Sequence, residues 1–181
     1  MWEILSLIAG VLAVVFFLIC FQLKKRKNII ICNIISRLLY IAQYCLIGHF
    51  TGAVMDVAAI PSSAIAGKKE KKFVAKFKIP IIILVNIIIV VVGFLTMFLI
   101  EGGNLLGLLS IAGVLFETIA LWFNSERLIR ILSLFGAPCW FGYNIICGAY
   151  ASAVGNVLTV ISIIVALCRY RSADKAKAID N

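Results

Sequence analysis

Long apolar runs separated by short basic or glycine-containing stretches repeat along the whole chain. They fall at about residues 2–21, 29–47, 51–67, 79–100, 105–123, 131–147 and 149–167. An α-helix needs about 20 apolar residues to cross a hydrocarbon core of about 30 Å, so the pattern predicts an all-α membrane protein with seven transmembrane helices. The first run exceeds a signal-peptide core and has Glu3 where a positive segment would be, so it is expected to stay uncleaved. A very short turn at Gly48 makes the second and third helices antiparallel neighbours. Pro61 predicts a bend in the third helix. The fourth run is the most apolar, with Asn86 its main polar interruption, and reads as a lipid-exposed connector.

The runs are not independent of one another. Tyr40 to Asp56 and Trp140 to Asn156 share one layout: an apolar helix end, a small-residue turn, then a polar side chain inside the next apolar run. Tyr40 answers Trp140, Gly48 answers Gly148, Ala53 and Val54 answer Ala153 and Val154, and Asp56 answers Asn156. Upstream, Ile8 to Leu12 recurs as Ile111 to Leu115, so the repeat unit is about three segments long. A single membrane domain, 1–171, therefore divides into a first triple-helix repeat (2–67), a connector (79–100) and a second repeat (105–171), followed by a polar tail (172–181). One connecting helix makes this 3+1+3 arrangement a pair of parallel repeats about an axis along the membrane normal.

Composition and charge agree with the pattern. The chain is 64% hydrophobic and 14% charged, outside the range of soluble domains. Its formal charge of +9 is concentrated in the segments after the first, third and fifth runs and after the last, including Lys24 to Lys27, Lys68 to Lys78 and Arg127 to Arg130. The turns at Gly48, Gly102 and Gly148 carry neither Lys nor Arg. The positive-inside rule then places the C-terminus in the cytoplasm and the N-terminus outside. The lysines are expected to meet anionic lipid headgroups, and a nucleic-acid partner is not expected. Homo-oligomerisation is compatible with the sequence. The six cysteines show no ligand spacing and read as packing residues, so neither a metal nor a cofactor is expected. His49 reads as a residue of the outer turn. No phosphate-cradling loop, nucleophile elbow or zinc-protease motif is present, and the chain is not expected to be an enzyme.

Candidate chemistry lies inside the apolar runs. Asn33, Arg37, Tyr40 and Tyr44, with Ser36 beside them, form a polar stripe on one helix face. The corresponding face of the sixth helix carries Ser133, Ala137, Trp140 and Asn144. Lipid satisfies neither stripe, so both are expected to face the interior. Asp56 and Asn156 lie about two turns into their helices, roughly 12 Å deep at ~1.5 Å per residue. Tyr40, Tyr44, Asp56, Trp140, Asn144 and Asn156 are therefore candidate solute contacts, with aromatic faces suited to a flat or amphipathic solute and amides to hydroxyls. The same side chains also suit interfacial anchoring and helix-to-helix bonding. Arg37, Asp56 and Glu117 are candidate intramembrane charge or proton sites. Arg37 is the natural partner of Asp56, while no partner for Glu117 is evident from the sequence.

The paired aromatic and Asn or Asp positions, in parallel triplets, resemble the SWEET and PQ-loop transporter architecture. More closely, the chain resembles the YgjV family of small bacterial inner-membrane proteins. That likeness runs from Ile8-Ala-Gly through the Lys24 cluster, Leu46-Ile-Gly48 and Ala53 to Asp56, then from Leu108 through Trp140 to Asn144 and on to Arg171. Neither triplet's first run has the proline of a SWEET repeat, there is no Pro-Gln pair, and Asp56 stands where Asn is typical. The resemblance implies a multi-pass protein of the bacterial cytoplasmic membrane. Together with the polar stripes it leads to the expectation of a small-solute transporter, a facilitator or proton-coupled carrier, that moves a small polar or aromatic solute. The alternative is a non-transporting structural, assembly or lipid-interacting protein.

Overall fold

The computed structural model describes residues 2–20, 26–69, 71–100, 102–123 and 125–179. Of the residues singled out above, Lys24 and Lys25 lie outside this set. The described chain is all helix in its regular structure: α1 (Trp2–Cys20), α2 (Arg26–Ile47), α3 (Phe50–Ala66), α4 (Lys72–Lys76), α5 (Lys78–Leu99), α6 (Gly107–Ala120), α7 (Glu126–Ile146) and α8 (Tyr150–Ile179). Three helical segments, Trp2–Ile19, Lys78–Leu99 and Arg127–Ile146, are long and apolar enough to cross a membrane. The other apolar stretches, Ile31–Ile47, Phe50–Ala66, Gly107–Ala120 and Tyr150–Val165, are shorter. α6 is flanked by tighter turns in which Gly107, Leu108 and Leu109 donate to Asn104, Leu105 and Leu106, and Trp122 and Phe123 to Ile119 and Ala120.

Helix ends depart from the hydropathy pattern where charge begins. α7 starts at Glu126 and α8 continues to Ile179, through segments read from the sequence as a charged loop and a polar tail. Glu, Arg, Lys and Ala are strong helix formers, so the helices outlast their apolar sections. Continuity also holds through Pro61 in α3 and Pro138 in α7.

The two tight turns are built alike. Gly48 (φ 79°) and Gly148 (φ 75°) occupy the left-handed region, where a Cβ is strained. Beyond them, His49 N–H donates to Tyr44 O at 3.0 Å and Ala149 N–H to Asn144 O at 2.8 Å. Each is a Schellman closure that satisfies carbonyls at the helix end and reverses the chain. The remaining left-handed glycines among the described residues, Gly102 and Gly103, turn α5 into α6.

Side-chain contacts fix how the helices lie. Ser36 donates to Ala13 O at 2.8 Å and Cys32 to Phe16 O at 3.1 Å, an antiparallel register for α1 and α2. α6 and α7 run antiparallel through Gly113 against Trp140 and Gly136 against Phe116. Gly113 is required here, because a Cβ would fall 2.7 Å from the Trp140 ring. α1 also packs on α8, and α6 on α3. Tyr44, Met55, Ile111, Val114, Trp140 and Tyr143 belong to the core that joins them.

α5 lies against α3 and α6. Ile79, Ile83, Ile87, Val91, Phe94 and Phe98 on this helix are exposed, as a lipid-facing connector requires. Yet Ile89, Gly93, Thr96 and Met97 are buried. Asn86, expected to be only an interruption, accepts a bond from Thr118 of α6 at 3.1 Å.

Candidate functional site

At the centre of the bundle Arg37 joins three helices. Its NH1 donates to Asp56 Oδ1 of α3 at 2.6 Å, its NH2 to Glu117 Oε2 of α6 at 3.0 Å, and its Nε to Asn33 Oδ1 one turn back at 3.3 Å. The side chains of Arg37 and Asp56 are 6% and 5% exposed, that of Glu117 22%. A buried guanidinium costs several kcal/mol of desolvation unless its donors are used, and here the two terminal nitrogens and Nε all have acceptors. Arg37 and Asp56 meet as the sequence anticipated. Glu117 gains the partner that sequence spacing alone does not provide, because α6 reaches α2 only through the tertiary fold.

Toward the glycine turns, aromatic rings and amides form a closed layer. Tyr44 stacks on Trp140 with centroids 6.2 Å apart and meets Tyr143 edge-on at 5.8 Å. Tyr44 OH donates to Asn144 Oδ1 at 2.7 Å, and Asn144 Nδ2 donates to Asn156 Oδ1 at 2.8 Å. Gly52 N–H donates to Tyr143 OH at 2.8 Å, and Ser152 OH donates to Gln43 Oε1. The last two bonds correspond: Gln43 and Tyr143 are 100 residues apart, as are Ser152 and Gly52. Tyr44 and Asn144, also 100 apart, bond to each other. A set of hydrogen bonds that maps onto itself thus closes this end. His49 is half-buried at its edge, 6.5 Å from the Tyr143 ring.

Two adjoining cavities lie below the closed layer. One, about 30 Å³, is lined by Tyr40, Tyr44, Asp56, Trp140, Asn144 and Asn156 together with the Arg37 cluster. The other, about 260 Å³, shares Phe17, Asn33, Arg37, Glu117 and Asn156 with it and continues past Ser133 and Ile129 to Leu121. It therefore reaches the ends of α6 and α7 that adjoin the basic segments. A separate cavity of about 570 Å³ at the opposite end is lined by Trp2, Glu3, Gln43, Cys147 and Tyr150, among others.

Residues 4–174 match the sequence model of Imp-YgjV, described as a bacterial inner membrane protein. The chain belongs to the Imp-YgjV family. No curated protein matches it, and neither does any solved structure.

For this Imp-YgjV protein the site residues expected from the sequence converge. Tyr40, Tyr44, Asp56, Trp140, Asn144 and Asn156 line one cavity, which Arg37 and Glu117 also border. Their environments differ, however. Tyr44, Asp56, Trp140 and Asn144 are buried, whereas Tyr40, Glu117 and Asn156 are half-buried, and it is Glu117 and Asn156 that line the larger cavity. The sequence reading passed over Tyr143, Gly52, Gln43 and Ser152. The repeat spacing was the available signal, since it pairs Gln43 with Tyr143 and Gly52 with Ser152. Unlike residue types at matching positions hid it. The small polar cavity-lining residue Thr159 carried no such signal, because one hydroxyl in an apolar helix ordinarily bonds its own backbone, as Thr159 does to Gly155 O at 2.9 Å.

Proposed function

We propose that this inner-membrane protein carries a small polar solute across the bilayer at a site between two three-helix units, α1 to α3 and α6 to α8, with α5 as the connector. In this reading all seven long helices span the membrane. The packing supports it: exchanging α1, α2 and α3 for α6, α7 and α8 turns the α1–α8 contact into the α6–α3 contact, as a two-fold relation requires. In this reading the cavity-bearing end, which adjoins the basic segments, faces the cytoplasm and the glycine turns face outside, in keeping with the positive-inside rule.

The observation that carries the proposal is the 260 Å³ cavity between the units, mostly apolar in its walls, which ends on the polar side chains of Arg37, Glu117 and Asn156 below a hydrogen-bonded aromatic layer. At about 30 Å³ per water it has room for roughly eight waters, or a small solute in their place. A protein whose polar groups served only to hold helices together would close-pack them. Rocking of one unit against the other would part Tyr44 from Asn144 and Tyr143 from Gly52, exposing the same site to the outside. Counterflow of labelled sugars, nucleosides, amino acids and amines into proteoliposomes tests this. We expect saturable uptake by the wild type and loss of uptake in folded Asn156→Ala and Trp140→Ala variants. Absence of uptake across the set, or uptake unchanged in both variants, overturns the proposal.

A further inference from the structure

We infer that the solute is a small organic monocation whose ammonium group pairs with Glu117; this deepens the transport reading and rests on it. The charge balance of the site leads there. Among the residues lining the two adjoining cavities, the charged ones are Arg37, Asp56 and Glu117, which sum formally to one negative charge. An uncompensated charge at membrane depth is costly, so a bound cation is favoured over a neutral solute of the same shape. An anion is disfavoured because three of the five Arg37 N–H groups already serve Asp56, Glu117 and Asn33, and it would add a further negative charge beside two carboxylates that share one guanidinium.

Geometry selects Glu117 as the contact. Asp56 lines only the smaller cavity, with its side chain 5% exposed, whereas Glu117 lines both and is 22% exposed. Arg37 bonds Glu117 Oε2, and among the described residues the Glu117 carboxylate has no other hydrogen-bond partner, which leaves Oε1 for a second donor. A carboxylate accepts several hydrogen bonds, so the amine adds to the Arg37 bond and does not have to break it. Around this point Asn33, Ser133 and Asn156 offer oxygen acceptors for the remaining N–H groups. Phe17, Ala137 and Ile129 supply apolar wall for a hydrocarbon portion.

The test uses the full chain in detergent at constant pH and ionic strength, with matched solutes that differ in one group: tyramine against tyrosol, and pentylamine against pentanol and pentanoate. A ligand that binds only the folded protein raises its melting temperature. Amines are expected to raise it with concentration, and the alcohols and carboxylate are not. Glu117→Gln is expected to weaken the amine response about tenfold or more, the scale of one lost charge pair. Ser133→Phe, which fills the cavity and leaves all three charges in place, abolishes the response and guards against a folding defect in the first variant. Binding by neutral sugars or the alcohols without the amines overturns the cation assignment and leaves the transport proposal standing. An equal amine response in Glu117→Gln overturns the placement at that residue. If no solute shifts the melt and counterflow also fails, both readings fall; if counterflow of a neutral solute succeeds, only the cation inference does.

Discussion

Removal of the guanidinium alone is the sharpest probe of the central cluster. Arg37→Met keeps much of the side-chain volume but leaves Asp56, 5% exposed, and Glu117, 22% exposed, facing each other without a counter-charge. Breaking a buried ion pair by deleting one partner costs about 3–5 kcal/mol. For a chain of this size 1 kcal/mol shifts the melting temperature by about 2–4 °C, so the expected fall is on the order of 6–20 °C. Asp56→Asn and Glu117→Gln each leave Arg37 paired with the other carboxylate and are expected to cost about 1.5–3 kcal/mol, the scale of a hydrogen bond to a charged group. Glu117→Gln sits at the lower end, because its carboxylate borders the larger cavity. The triple variant Arg37→Met, Asp56→Asn, Glu117→Gln leaves no charge in the central cluster and is expected to regain most of the stability lost in Arg37→Met. Melting curves in one detergent compare the four variants with the wild type. A triple variant as unstable as Arg37→Met would refute the electrostatic account and assign the loss to packing. A wild-type melt for Arg37→Met would refute the buried cluster itself.

Gly48→Ala and Gly148→Ala place a Cβ at φ 79° and 75°, and each is expected to cost about 1–2 kcal/mol, seen as a lowered melting temperature with similar size at both sites. Tyr44→Phe and Tyr143→Phe remove the bonds to Asn144 and Gly52 N–H. In a background without native cysteines, Asn156→Cys should then react faster with an impermeant maleimide added from outside than it does with both tyrosines intact; unchanged labelling would count against the closed layer. His49→Cys should label from outside in intact cells, and Lys72→Cys only after permeabilisation; the reverse pattern would invert the proposed orientation.

How much of this was legible in the chain differs by feature. Every apolar run has its helix, and Gly48 and Gly148 turn where the very short gaps between runs demanded it. Hydropathy misjudged the ends of α7 and α8, because it measures transfer to an apolar phase and helix propensity continues into charged segments. The stripe from Asn33 to Tyr44 pointed inward as expected, since unsatisfied polar groups on a greasy helix require a polar neighbour. Asn86 was read too simply, because its partner Thr118 is far along the chain.

The sequence by itself determined the class of protein and the helices and pointed to the residues that come together, all of which follow from local periodicity and the cost of exposing polar groups to lipid. Only the tertiary structure decided which bonds those residues make. It brought Glu117 of α6 to Arg37 of α2, set Tyr143 on the Gly52 amide, and put Glu117 and Asn156 on the larger cavity while burying Tyr44 and Asn144 in the layer that closes it. Those outcomes depend on how helices from the two halves rotate and pack against each other. Helical periodicity defines a face, and the depth and direction of its partner are set by the neighbouring helix.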